Sequence, residues 1–325
     1  MNMPAKFCVV GLGNHSRTKL IPALRENGQT LTGVVSSKPV NASGEATMHF
    51  FNLREALQEL PKDVVFLIGS PPQVHYEQCK EILLAGHDVI VEKPAFVRVT
   101  EAREMVALAD KRGLVLAEAL MYRHSALFAQ FMADIDAIGS NLKNLQINFL
   151  LPDRPRGTFR DNKQLGCSVV YDIGCYALSL LAEIGVNTDE VVFEHLVDDG
   201  DMLLRVVLTG SKVLETPKID ISVGMGAAYE NSVRLVCRDG SSTEYSPFFF
   251  GRPGKRNIYH HLYEKQVNHH EVIEQNSFSK MLACPLDNWM ANQKEESERM
   301  IAVIGALEKL ETARLQGWPA QSTIA

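Results

Sequence analysis

Over the first 120 residues, short apolar runs alternate with amphipathic stretches. The runs 7–11, 31–35, 64–69, 89–91 and 114–117 are rich in Val, Ile, Leu and Phe and read as buried strands. Between them, 19–25 places Leu20, Ile21 and Leu24 on one helical face, 53–60 aligns Leu53, Leu57 and Leu60, and 74–85 and 100–112 are also helical in pattern. This alternation predicts βαβ units and a parallel sheet covered on both faces; right-handed crossovers make it a doubly wound α/β sheet. After Arg123 the rhythm changes. A long strand at 141–151 and a helix at 172–184 lead into β-rich runs at 191–197, 202–208, 218–223, 232–237 and 243–250. Turn signals such as Asp199-Gly200, Thr209-Gly210 and Asp239-Gly240 join them, which predicts an antiparallel sheet and an α+β second half. The polar stretch 250–277 reads as a long loop or lid, and 292–312 as a closing helix with Glu and Lys on its exposed side.

A chain of 325 residues is about twice a typical domain of roughly 150, and the change of rhythm divides it into 1–122 and 123–325. The 46% hydrophobic and 22% charged content excludes a disordered, collagen-like or coiled-coil chain. A net charge of −6 gives no footprint for nucleic acid or an acidic membrane. The six cysteines are scattered and form no CxxC pair, as expected of reduced thiols. No secretion signal opens the sequence and no apolar run nears the roughly 18 residues of a membrane span, so the expected location is the cytoplasm and no membrane partner is expected. The pairs His260-His261 and His269-His270 lack a Cys or carboxylate cluster to complete a tetrahedral set and read as exposed loop histidines, so no metal is expected.

Five segments carry chemistry. Val9-Val10-Gly11-Leu12-Gly13-Asn14-His15-Ser16 lies between a strand and a helix. Gly11 and Gly13 suit a sharp turn and a close backbone approach to a pyrophosphate, with Ser16 in place of the usual third glycine; an ordinary βα turn fits the same residues. Val35-Ser36-Ser37-Lys38 ends the second strand without the carboxylate that would hold an NAD ribose, which favours NADP(H); a solvated loop accepting either cofactor is the other reading. Gly69-Ser70-Pro71-Pro72-Gln73-Val74-His75 and Glu92-Lys93-Pro94 each follow a parallel strand, at the sheet edge where open α/β sheets bind ligands. Tyr171-Asp172-Ile173-Gly174-Cys175-Tyr176 opens the second-half helix, and its spacing puts Asp172 and Tyr176 on one face; a helix cap and a core aromatic would look alike.

Together GLGNHS, SPPQVH, EKP and DIGCY, in this order and covering nearly the whole chain, resemble the Gfo/Idh/MocA oxidoreductases. The resemblance implies a Rossmann domain followed by an open, mostly antiparallel sheet that serves as the interface of a homodimer or homotetramer. It implies hydride transfer between NADP(H), or NAD(H), and a secondary alcohol or ketone of a sugar, polyol, diol or nucleotide sugar. Gly11, Gly13, Asn14, His15, Ser36, Ser37, Lys38, Ser70, Pro71, His75, Glu92, Lys93 and Arg123 would bind the cofactor, with Lys93-Pro94 a candidate cis peptide. Lys93 would hold the reacting oxygen, and Asp172 would hold Lys93 or a substrate hydroxyl. Tyr176 would move the proton, where many relatives carry His. An unperturbed Tyr titrates near 10, so a cation such as Lys93 must help stabilise its phenolate. Arg154, Arg156 and Arg160 suit a substrate diphosphate, or form a solvated basic loop. The stretch Leu165-Gly166-Cys167-Ser168-Val169 departs from the family's glycine cluster and would reshape the pocket floor. Some relatives are non-catalytic sensors that have lost the lysine; Lys93, Asp172 and Tyr176 are all retained here.

Overall fold

The structure is a computed structural model, and it describes residues 4–38, 48–152, 168–188, 192–198, 203–209, 218–250, 256–263, 266–273 and 275–316. Two compact units result, Met1–Met121 with Phe278–Ile304, and Tyr122–Ser277 with Gly305–Ala325. No helix among the described residues is long and apolar enough to cross a membrane.

The first unit holds a parallel sheet of β1 (Lys6–Val10), β2 (Thr30–Val35), β3 (Met48–Phe50), β4 (Val64–Ile68), β5 (Val89–Glu92) and β6 (Leu116–Ala119), in the order β3-β2-β1-β4-β5-β6. Helices α1 (Ile21–Glu26), α2 (Leu53–Glu59), α3 (His75–Ala85) and α4 (Val99–Arg112) alternate with the strands. Phe7 to Val10 and the whole of β4 are buried, as unbroken apolar runs under two helical layers must be. The order reverses direction between β1 and β4, and the crevice outside the carboxyl ends of such a pair is where doubly wound sheets take ligands. Five strands were expected and a sixth, β3, is present. Its three residues are too few for periodicity to register.

The second unit contains an eight-stranded sheet of β7 (Leu142–Leu151), β8 (Val192–Asp198), β9 (Leu203–Thr209), β10 (Lys218–Met225), β11 (Glu230–Cys237), β12 (Ser242–Ser246), β13 (Arg256–Tyr263) and β14 (Gln266–Ile273). Every pairing is antiparallel except β7 with β10. The chain between that parallel pair is long enough for the crossover it requires. Two helices follow the sheet's chain order, α5 (Ala126–Ile138) after the first unit and α6 (Cys175–Glu183) before β8. Helix α5 lies outside the expected elements, and Ser125 caps it by accepting the Phe128 N–H at 3.0 Å.

The stretch expected as a loop or lid is instead the hairpin of β13 and β14, which pair from Arg256↔Ile273 to Tyr263↔Gln266. Almost all of β14 is exposed, so no apolar-inward alternation marked it in the sequence. His260 and His269 are therefore strand residues placed opposite each other, their Nδ1 atoms 2.6 Å apart. The expected strand 243–250 stops at Ser246. Beyond it, the Phe248 and Phe249 N–H groups donate to the Asn231 side-chain oxygen at 3.0 and 2.8 Å and leave the ladder.

After β14 come α7 (Ser277–Leu282), α8 (Leu286–Ala291) and α9 (Gln293–Leu315), and residues 278–304 belong to the first unit, not to a continuous 123–325 domain. The bonds that place them there are long-range. Gln293 donates to the Leu116 carbonyl at 3.1 Å and accepts the Leu116 N–H at 3.3 Å, so its amide pairs with the edge strand β6. Asn27 donates to the Ser279 carbonyl at 2.5 Å and Gln29 to that of Leu282 at 3.3 Å.

Candidate active site

The glycine turn after β1 is set by contacts that exclude side chains. Gly11 has φ +87, and a Cβ on it would lie 2.8 Å from Ser70 N and 2.9 Å from Ser70 Cα. Its N–H donates to the Val35 carbonyl at 3.0 Å, and Gly69 N–H to that of Val10 at 2.8 Å. Ser16 is buried and donates to the Gly11 carbonyl at 2.6 Å; a Cβ on Gly69 would sit 2.5 Å from the Ser16 hydroxyl. A serine in the third-glycine position thus makes the close helix–strand contact and ties the turn as well. A Cβ on Gly13 would meet no atom within 4 Å, so the backbone there faces open space. That opening, ahead of the helical turn Ser16–Leu20, fits a dinucleotide pyrophosphate. Asn14 turns its carbonyl to the Thr18 hydroxyl, 2.8 Å away.

His15 and Glu92, expected to serve the cofactor, are brought together, with Nε2 3.0 Å from Oε1. His15 also meets Phe278 edge-on at 5.4 Å. Half-buried Lys93 follows Glu92, and the Lys93–Pro94 peptide is cis. At the end of β2, Ser36 donates to the Lys38 carbonyl at 3.1 Å and accepts the Lys38 N–H at 3.3 Å, leaving Ser37 and Lys38 exposed. His49, which the sequence reading passed over, sits beside this turn and its Nε2 is 2.9 Å from the Ser36 carbonyl. Ser70 donates to Gln78 Oε1 at 2.5 Å, and half-buried Pro71 precedes the turn Pro72–Val74.

His75 differs from expectation. It is fully buried, with Nε2 2.8 Å from the Ser70 carbonyl and Nδ1 3.1 Å from both the Pro94 and Ala95 carbonyls. Burial pulls its pKa below the ordinary histidine value, against those carbonyls and Glu92. As the first residue of α3, it stands between the loops after β4 and β5.

Glu118, on β6, was not singled out in the sequence because it reads as one polar residue in the strand LAEA. It is buried, and Oε1 accepts the Ala95 N–H at 2.8 Å. Burial raises its carboxyl pKa, opposed by the Ala95 N–H, Arg299 and Lys93, while Glu296 adds to the rise. An unfolded chain therefore ionises this carboxyl at lower pH than the folded one, so its contribution to stability is fully present below the unfolded pKa and is lost as pH climbs toward the folded pKa. Glu118→Gln should be more stable than the parent at pH 7, with the gap closing toward about pH 4, the ordinary Glu range. Thermal melts of the cofactor-free protein from pH 4 to 8 check this, and parallel curves for parent and variant would refute it.

In the second unit, Asp172 lies in the π-helical turn Val170–Gly174, whose next residue opens α6. Single π-turns recur at functional sites, and the other one described here, Ser16–Leu20, follows the glycine turn. Asp172 is 8% and Tyr176 3% exposed. The Tyr176 ring packs against Phe149, Phe249 and Phe250 at 5.2, 5.4 and 5.5 Å between centroids. Ser179 donates to the Tyr176 carbonyl at 3.0 Å and so accepts from the Tyr122 hydroxyl at 2.9 Å. Arg123, expected near the nicotinamide, has its Nε 2.6 Å from Glu183 Oε1 at the end of α6. Arg154, Arg156 and Arg160, with Leu165, Gly166 and Cys167, lie outside the described residues. Among the described residues no group of three or more His, Cys, Asp or Glu can hold a metal, and five cysteines are free thiols.

Residues 5–120 match the model of the Gfo/Idh/MocA oxidoreductase family, NAD-binding Rossmann fold. The chain is 29% identical over 262 residues, 75% of each protein, to a dTDP-3,4-didehydro-2,6-dideoxy-α-D-glucose 3-reductase of Streptomyces violaceoruber. It shares the fold of KijD10, a 3-ketoreductase from Actinomadura kijaniata solved with NADP and TDP-benzene, at TM-score 0.83 and 20% identity over 94% of this chain and 97% of that one. An aldose-aldose oxidoreductase from Caulobacter crescentus, complexed with glycerol, matches at TM-score 0.77 and 16% identity over 96% and 98% of the two chains. The glycine turn, the Glu-Lys-Pro edge and the parallel sheet all lie inside the region, residues 5–120, that matches the Gfo/Idh/MocA oxidoreductase model with its NAD-binding Rossmann fold.

Proposed function

We propose that the protein is an NADP(H)-dependent reductase of a ketone on a nucleotide-linked sugar. The observation that carries this reading is the junction of the glycine turn with the Glu92-Lys93-Pro94 edge. The His15–Glu92 contact of 3.0 Å ties the helical turn after Gly13, a turn open at that glycine, to the residue before Lys93. The named activities of the relatives supply the substrate class.

The bound nicotinamide supplies the hydride. Lys93 holds the ketone oxygen and favours the charge that gathers on it. Tyr176 delivers the proton, and Asp172 orients Lys93 or a sugar hydroxyl. Gly11, Gly13, Asn14, His15, Ser70 and Pro71 bind the dinucleotide, with Ser36, Ser37 and Lys38 meeting the 2′-phosphate. Among the described residues of that turn there is no carboxylate to repel it. Lys38→Ala should weaken NADPH binding by about tenfold, the scale of one charged hydrogen bond, and leave NADH binding unchanged. Fluorescence titration with both cofactors checks this; equal losses would assign Lys38 a general role.

NADPH oxidation with dTDP-3,4-didehydro-2,6-dideoxy-α-D-glucose, compared with free keto sugars and polyols, tests the reading. Turnover confined to free polyols would move the substrate class, and NADPH binding without turnover on any of them would favour a sensor. The accompanying assembly is a homodimer or homotetramer through the second unit's sheet, supported by β14, where Val267 and Ile273 are exposed. Light scattering on the eluting protein measures it.

A further inference from the structure

Two loops of the first unit carry candidate binding and catalytic residues, and one buried ring stands between them. His75 Nε2 reaches the Ser70 carbonyl in the loop after β4, and Nδ1 reaches the Pro94 and Ala95 carbonyls in the loop after β5. All three partners are carbonyl oxygens, which only accept. Each contact is therefore a donation from the ring or an unfavourable meeting of lone pairs. From β6, Glu118 Oε1 accepts the Ala95 N–H. A neutral ring carries one N–H: with that proton on Nδ1, His75 holds the chain just past Lys93 at two carbonyls, and Glu118 holds it at one N–H. Both gripping side chains are buried and keep those bonds from competing water.

We propose that His75 and Glu118 are positioning residues for Lys93: together they fix the turn that aims its ammonium, with the His75 ring packed between that turn and the Ser70 loop. The proposal rests on the catalytic reading of Lys93 given above. Its physical basis is that a displacement near 1 Å in a reacting group can cost about 10²-fold in rate. Removing one partner also leaves buried groups unsatisfied, so the turn must shift to answer them.

The test compares His75→Leu, His75→Gln, Glu118→Leu and Glu118→Gln, each alone and with Lys93→Ala. The first readout needs no cofactor: exchange of the Ala95 amide proton, followed by NMR. Both Leu variants should speed it at least tenfold, and Glu118→Gln, which keeps an acceptor, should retain protection. The second is single-turnover NADPH oxidation with dTDP-3,4-didehydro-2,6-dideoxy-α-D-glucose. His75→Leu should slow hydride transfer by about 10- to 100-fold, His75→Gln by less, and either should add under about twofold once Lys93 is Ala. The same fold loss in both backgrounds, or unaltered Ala95 exchange, overturns the positioning role. Undiminished transfer by Lys93→Ala alone instead removes the catalytic reading of Lys93, and the positioning role with it. Should a Leu variant fail to fold, the Gln variants carry the same comparison, since their smaller deficits must also vanish in the Lys93→Ala background.

Discussion

Tyr176→Phe should lower hydride transfer by about 10²- to 10⁴-fold, the usual worth of a positioned acid, while NADPH affinity stays within about twofold. The ring is buried against Phe149, Phe249 and Phe250, and a phenyl group fills the same space, so the melting temperature should barely move. What is lost is the proton. On the proposed mechanism the carbonyl oxygen would gather negative charge as the hydride arrived, and without a donor Lys93 alone would have to bear it. Single-turnover absorbance of NADPH gives the rate, and quenching of its fluorescence gives the affinity. Transfer at the parental rate would take Tyr176 out of the mechanism and leave it as a core aromatic.

The second large effect separates two glycines two positions apart in the chain. Gly11→Ala should destabilise the cofactor-free protein by about 1–3 kcal/mol, because φ +87 strains an L-residue and its Cβ would press on the Ser70 backbone at 2.8 Å. The neighbour is main chain and cannot swing aside. Pushing the Ser70 loop also deforms the groove, so NADPH binding should fall by at least about tenfold. Gly13→Ala should behave differently. Its Cβ meets no protein atom within 4 Å, so the melting temperature of the cofactor-free protein should hold, while a methyl group in the space left for pyrophosphate cuts affinity. Melting curves and titrations of the two variants check the contrast. Equal losses of stability would mean that the opening at Gly13 serves folding instead of binding.

Much of this was legible in the sequence because the same residues answered to two physical demands. The run Phe7 to Val10 had to be apolar to lie under two helical layers, and Gly11 had to lack a side chain to turn against Ser70. The motif carrying Asp172 and Tyr176 marked the start of a helix, and both residues are buried where the π-turn runs into α6. Other features left no local trace. The motif locates His75 along the chain, but spacing does not show that three carbonyls surround its ring. Glu118 bonds an amide 23 positions away, a pairing no window captures. The hairpin of β13 and β14 hid behind its own polarity, because a strand with almost every residue exposed has no apolar face to repeat. The helical period of the C-terminal segment was plain, but nothing in a period names the strand on which Gln293 will dock.

That docking has a bearing on how the molecule is made. The N-terminal sheet leaves the ribosome with β6 as a bare rim, and a bare rim is a template for any other strand in reach. The amide that seals it at Leu116 arrives only after the whole intervening domain has been translated. At about 5–20 residues per second, the nascent half waits unsealed for on the order of ten seconds or more. A nascent chain stalled before Gln293 should accordingly be more prone to clump or to recruit chaperones than one released a few dozen codons later.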